Sequence, residues 1–127
     1  MWLSIDERDT RPLYLQIINQ IKEQMRKGVL KPGDELPSVR ELADSLGINM
    51  HTVRSAYLKL RDQEIINLRL GRRATIARLQ QPRNTPGVQA DIAARFEELI
   101  TDALLMGLSP EEIKKIVNLQ MEHLKTV

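Results

Sequence analysis

Ser38 and Gly47 bracket a stretch that has little freedom to be anything but one short helix. Ser38 with Glu41 three residues later forms a capping box, in which hydroxyl and carboxylate each satisfy a backbone N–H left over at a helix start. Gly47 supplies the left-handed residue on which such a helix ends. Asn49 then caps a second helix, where Val53, Ala56, Tyr57 and Leu60 share one apolar face at i, i+3, i+4, i+7 spacing. His51, Thr52, Arg54 and Ser55 fall outside that face, near the helix start. Two short helices joined by a tight glycine turn, the second leading with polar side chains, read as a helix-turn-helix aimed at a DNA major groove.

The flanking patterns extend this motif into a winged helix. Leu3 and Ile5 alternate with polar neighbours, as in a short edge strand, and Trp2 reads as a lid on the domain edge. Pro12 suits the first position of a helix whose Leu13, Ile17, Ile18, Ile21 and Met25 face a core, and Gly28 ends it. Lys31-Pro32-Gly33-Asp34 is a turn. After Gln63 the period changes from helical to alternating, which predicts a β-hairpin of Ile65–Leu68 and Ala74–Leu79 around Gly71. Its tip places Arg69, Arg72 and Arg73 about that single glycine.

Residues 80–87 hold two prolines, a glycine and no apolar side chain, the composition of a linker. Two helices follow. The first, from Val88 to Met106, carries Ile92, Phe96, Leu99, Ala103 and Met106 as a stripe that Ile100 and Leu104 widen. Ser109-Pro110-Glu111-Glu112 opens the second, with Ile113, Ile116, Val117, Gln120 and Leu124 along one side. The fold class is therefore mainly α with a small β-hairpin wing. A winged helix-turn-helix over 1–79 and a linker over 80–87 precede a two-helix region over 88–127. Two helices alone enclose too little core to be stable. Either the pair covers itself within the chain or it packs on a second copy, and a two-fold homodimer is the economical solution. Its interface would comprise Ile92, Phe96, Leu99, Ile100, Ala103, Ile113, Ile116, Val117 and Leu124.

Charge is distributed in keeping with this division. Residues 1–83 hold 15 Lys and Arg against 10 Asp and Glu, whereas residues 84–127 hold 4 against 7. Only the first part is suited to a polyanion. The chain has no cysteine, which excludes disulfides, thiol catalysis and thiolate metal sites. No apolar run approaches the roughly 20 residues of a membrane span, and Met1–Asp6 lacks the features of a signal peptide. A cytoplasmic location is expected. His51 and His123 are the only histidines and fall in different domains, so a zinc site, with its three or four ligands, is not expected. Nothing calls for a cofactor.

The residues Pro12-Leu13-Tyr14-Leu15-Gln16-Ile17, Gly28 through Ala43, and Thr52-Val53-Arg54-Ser55-Ala56-Tyr57 with Leu60 resemble the GntR family of bacterial transcription regulators. The short tail containing Met106-Gly107-Leu108-Ser109-Pro110-Glu111-Glu112 is similar to its YtrA-like subfamily, which lacks large effector domains. The resemblance implies DNA contacts from Ser38 and Arg40, from Asn49, Met50, His51, Thr52 and Arg54, and from the wing around Gly71 with Arg69, Arg72 and Arg73. Two positions depart from the family pattern. Met50 stands where a basic residue is common, and Gly71-Arg72-Arg73 replaces a common Gly-x-Gly.

Each assignment has a plainer alternative. Arg40 either meets a phosphate or guanine edge or pairs with Glu35 or Asp44. Arg54 has the same choice with a surface carboxylate, and Thr52 either contacts DNA or only serves the helix cap. The wing arginines either neutralise phosphates or form a solvated tip. Met50 either touches a thymine methyl or is simply exposed. Tyr14 and Tyr57 are expected in the core. The function implied is a dimeric regulator, a repressor, on an inverted-repeat operator in double-stranded DNA. A winged-helix protein-interaction module is the alternative, and an enzyme is disfavoured because the acidic residues form no cluster of the kind catalysis needs. The tail is too small for a deep ligand pocket. A small-molecule effector, unidentified from the sequence, would have to bind between domains or at the dimer interface.

Overall fold

Helix α1 (Leu13–Arg26) turns Gln16, Ile17, Ile18 and Ile21 into the core, while Leu13 at one end stays 37% exposed. Pro12 sits one position earlier than expected, as the N-cap. The computed structural model describes residues 3–78 and 85–125, so Trp2, Leu79 and the linker residues 80–84 lie outside the described residues. The chain divides into two units, residues 1–79 and 80–127.

The strand expected at Leu3 and Ile5 does not form. Two glutamine side chains, one turn apart on α1, take the place of a neighbouring strand. Gln16 Oε1 accepts from the Asp6 N–H at 3.0 Å and its Nε2 donates to the Asp6 carbonyl at 3.3 Å. Gln20 binds Ser4 in the same way, its Oε1 accepting at 2.9 Å and its Nε2 donating to the carbonyl. The segment's backbone is thereby satisfied without a ladder, and Leu3 is buried in the core.

Helix α2 (Val39–Leu46) begins at Ser38, whose hydroxyl accepts from the Glu41 N–H at 3.1 Å. It ends on Gly47 at φ +67°, and the Ile48 N–H donates back to the Ala43 carbonyl at 3.1 Å. Helix α3 (Met50–Asp62) is capped by Asn49 and buries Val53, Ala56, Tyr57 and Leu60, the expected face. The Tyr57 hydroxyl donates to the Pro37 carbonyl at 2.6 Å, tying α3 to the residue that precedes the α2 cap. Burial pushes this phenol's pKa up. Tyr14 is half-buried rather than fully in the core, with Lys59 Nζ 5.1 Å from its ring centroid.

Strands β1 (Ile66–Asn67) and β2 (Thr75–Ile76) pair antiparallel, Ile66 with Ile76 and Asn67 with Thr75. This hairpin is shorter than its alternating pattern predicts. A third strip, absent from the expected layout, runs along the other edge of β2. The Gly33 N–H donates to the Ile76 carbonyl, the Ile76 N–H to that of Asp34 and the Leu36 N–H to that of Ala74, all at 2.8–2.9 Å. A bridge between Glu35 and Thr75 lies within it. The residues after the Pro32-Gly33 turn thus join the base of the wing to the loop leading into α2. Helix α3 leaves for β1 through Glu64, a non-glycine residue at φ 60°.

In the second unit, α4 (Pro86–Leu105) starts two residues before the expected Val88. Thr85 is its cap, accepting from the Val88 N–H at 3.2 Å. Helix α5 (Pro110–Lys125) opens with both halves of a capping box, as Ser109 Oγ accepts from the Glu112 N–H and Glu112 Oε1 from the Ser109 N–H, each at 3.1 Å. Neither helix buries a single described residue. Ala103, Leu108 and Ile113, at the elbow, are half-buried, but Phe96, Leu99, Ile100, Ile116, Val117 and Leu124 remain exposed.

Candidate nucleic-acid interface

The geometry of the first unit follows from which side of α3 the core takes. With Val53, Ala56, Tyr57 and Leu60 inward, His51 and Arg54 are exposed, and Thr52 and Ser55 are half-buried at the margin. Asn49 spends its Oδ1 on the His51 N–H at 2.7 Å, which leaves its amide NH2 for another acceptor. The Thr52 N–H bonds to the Asn49 carbonyl at 3.1 Å, so Thr52 is not the partner of the Asn49 side chain. Met50, the first residue of α3, is 41% exposed.

Arg40, the second residue of α2, is exposed. Neither Glu35 nor Asp44 pairs with it. Among the described residues Arg40, Arg54, Arg69 and Arg72 have no carboxylate within ion-pair distance. An arginine at the positive end of a helix, without a counter-ion, contributes nothing to the stability of that helix. Its chemistry is that of a fork of donors held ready for an anion or a base edge.

The wing turns at Gly71, at φ +75°, with the Arg72 N–H on the Arg69 carbonyl at 3.2 Å. Arg69, Leu70, Gly71 and Arg72 are all exposed, Leu70 completely. Arg73 differs from its neighbours. Its Nη2 lies 2.6 Å from Glu41 Oε1 and its Nε 3.9 Å from Glu35 Oε2. The sequence grouped three wing arginines together, whereas the structure separates two unpaired ones from one held by carboxylates. The missed signal was Glu35, whose position on the strip beside β2 follows from a pairing that no local pattern announces. The Glu41 carboxyl is held below its usual range by the Ser38 hydroxyl first and by Arg73 second.

No cluster of three His, Asp or Glu side chains suited to a metal occurs among the described residues. Nor is any of their helices long and apolar enough to cross a membrane.

Residues 13–76 match the model of the gntR family of bacterial regulatory proteins. The HTH-type transcriptional repressor YtrA of Bacillus subtilis is 40% identical over 111 residues, 87% of this chain and 85% of that protein. A transcriptional antiterminator from Listeria monocytogenes has a similar crystal structure, with a TM-score of 0.80 and 34% identity over 94% of this chain and 90% of that one. The DNA-binding domain of AraR, crystallised with its operator, covers 57% of this chain and 89% of its own at a TM-score of 0.51 and 25% identity. With its helix-turn-helix, wing and short two-helix tail, the chain belongs to the GntR family of bacterial transcription regulators.

Proposed function

We propose that this regulator is a cytoplasmic homodimeric repressor that binds an inverted-repeat operator through the first unit, residues 1–79, and dimerises through the second. The observation that carries the DNA-binding part is the set of uncompensated arginines. Arg40 on α2, Arg54 on α3, and Arg69 and Arg72 on the wing are exposed and lack carboxylate partners among the described residues. Arg40 and Arg54, with Ser38, Asn49, Met50, His51 and Thr52, read base edges and adjacent phosphates in a major groove. Arg69 and Arg72 flank Gly71 and neutralise backbone phosphates beside it.

The tail supports the dimer. Helices α4 and α5 bury none of their described residues, although Ile92, Phe96, Leu99, Ile100, Ile116, Val117 and Leu124 lie on their apolar stripes. A second copy covers these together with Ala103 and Ile113, and spaces two recognition helices for one duplex. Repression follows by occlusion of the promoter. An effector, where one acts, binds at the dimer interface.

The test begins with selection of bound fragments from genomic DNA, followed by titration of the recovered operator. Arg40→Ala and Arg54→Ala are each expected to weaken operator binding by about 1–3 kcal/mol while leaving the fold intact. Operator affinity unchanged in both variants overturns this recognition surface. A wild-type protein that binds no duplex at low salt makes the first unit a protein-interaction module instead.

A further inference from the structure

We propose that Arg73 is a positioning residue that ties the wing to α2 through Glu41, leaving the wing's phosphate contacts to Arg69 and Arg72. The inference rests on the DNA-binding reading of the wing, but it is carried by a separate geometry. The last backbone links on the tip side of the hairpin are the Asn67–Thr75 pair and the Leu36 N–H on the Ala74 carbonyl. Beyond them, the turn bond from the Arg72 N–H to the Arg69 carbonyl joins the tip only to itself. Arg73 is the first residue past those links, and its guanidinium reaches across to Glu41 at 2.6 Å and towards Glu35 at 3.9 Å.

Both carboxylates belong to elements fixed from elsewhere. Glu41 is the third residue of α2, its N–H already held by Ser38, and Glu35 is bridged to Thr75. A phosphate would have to compete for Arg73 with two carboxylates that already stand at 2.6 and 3.9 Å. The tie therefore sets the angle at which the wing leaves the helix-turn-helix.

Two measurements on the full chain decide the matter. The first is the backbone ¹⁵N heteronuclear NOE of Leu70 and Gly71 in the DNA-free protein. Arg73→Gln and Glu41→Gln are each expected to lower it, the double variant no further than either, and Arg73→Lys to restore most of it. Glu41→Gln keeps the backbone N–H that donates to the Ser38 hydroxyl, so a loss there is not a loss of the cap. The second is the salt dependence of binding to a scrambled duplex of about 30 base pairs. Arg69→Gln and Arg72→Gln should each flatten the log–log slope by about 0.9, whereas Arg73→Gln should leave it in place. If Arg73→Gln flattens the slope as much as the others while Glu41→Gln tightens binding, Arg73 is a phosphate contact and the proposal fails. If the wild type binds no duplex, the DNA reading fails instead, and the NOE comparison alone decides the tie: unchanged values in both variants overturn it.

Discussion

Replacing Phe96 and Leu99 together by alanine tests whether the tail stripe is an interface. In the isolated chain the two residues are 49% and 65% exposed, so roughly half of each remains to be covered. Full burial of a Phe or Leu side chain contributes about 1.5–3 kcal/mol, which leaves about 1 kcal/mol or more per side chain for the partner to supply. A two-fold dimer contains four such side chains, for a total of about 4–6 kcal/mol. At about 1.4 kcal/mol per decade, the dimer Kd should rise by roughly three to four orders of magnitude. Sedimentation across a concentration series measures this directly. Operator affinity should fall by roughly 10²–10⁴ as the linkage between two half-sites is lost, while salt-sensitive binding to any duplex persists. Leu105→Ala is the control: Leu105 is 83% exposed, but it lies two residues from Ala103 on the opposite side of α4, and its loss should leave the dimer intact. A wild-type protein that is monomeric at micromolar concentration, or an alanine pair that dimerises as the wild type does, refutes the argument.

Four further expectations concern the first unit and are read by urea or thermal unfolding. Tyr57→Phe takes the donor from the half-buried Pro37 carbonyl and should cost about 0.5–1.5 kcal/mol. The folded-state pKa of Tyr57 is raised, so wild-type stability should be full below the ordinary phenol value of about 10 and decline above it, a decline that Tyr57→Phe should reduce. Gly47→Ala meets no atom within 4 Å, yet at φ +67° it should cost about 1–2 kcal/mol through backbone strain alone, and Gly47→Asn less. Ser38→Ala should remove about 1 kcal/mol by freeing the Glu41 N–H at the start of α2.

The parts of the fold that were legible in the sequence are those in which residues a few positions apart decide the outcome. Ser38 with Glu41, Gly47, Asn49, and Ser109 with Glu112 each act within one helical turn, and the structure places every one of them at the expected helix end. The α3 face was equally readable, because a period of 3.6 is a property of a single segment. What failed was non-local. Leu3 and Ile5 have the alternation of a strand, but alternation states only which side is buried, not what satisfies the backbone. Here Gln16 and Gln20 do so from α1, and their i, i+4 spacing carries no sign of that use. Glu64 in the left-handed region was unreadable for a related reason: the contacts around the α3–β1 junction set its backbone, against its own preference.

The candidate site divides along the same line. That Arg40 and Arg54 stand outside the apolar faces follows from helical geometry, and their lack of partners is a structural observation consistent with it. The wing arginines were read as one group because they are adjacent in sequence and equal in charge. Their difference comes from Glu35 and Glu41, which lie more than thirty residues away along the chain and approach only Arg73. A count of positive charges at a hairpin tip therefore overstates how many are available to a polyanion. The number that matters is the count left after the protein's own carboxylates have taken theirs. On this wing that leaves Arg69 and Arg72, and the proposed phosphate contacts then predict a salt slope shallower than three arginines would give.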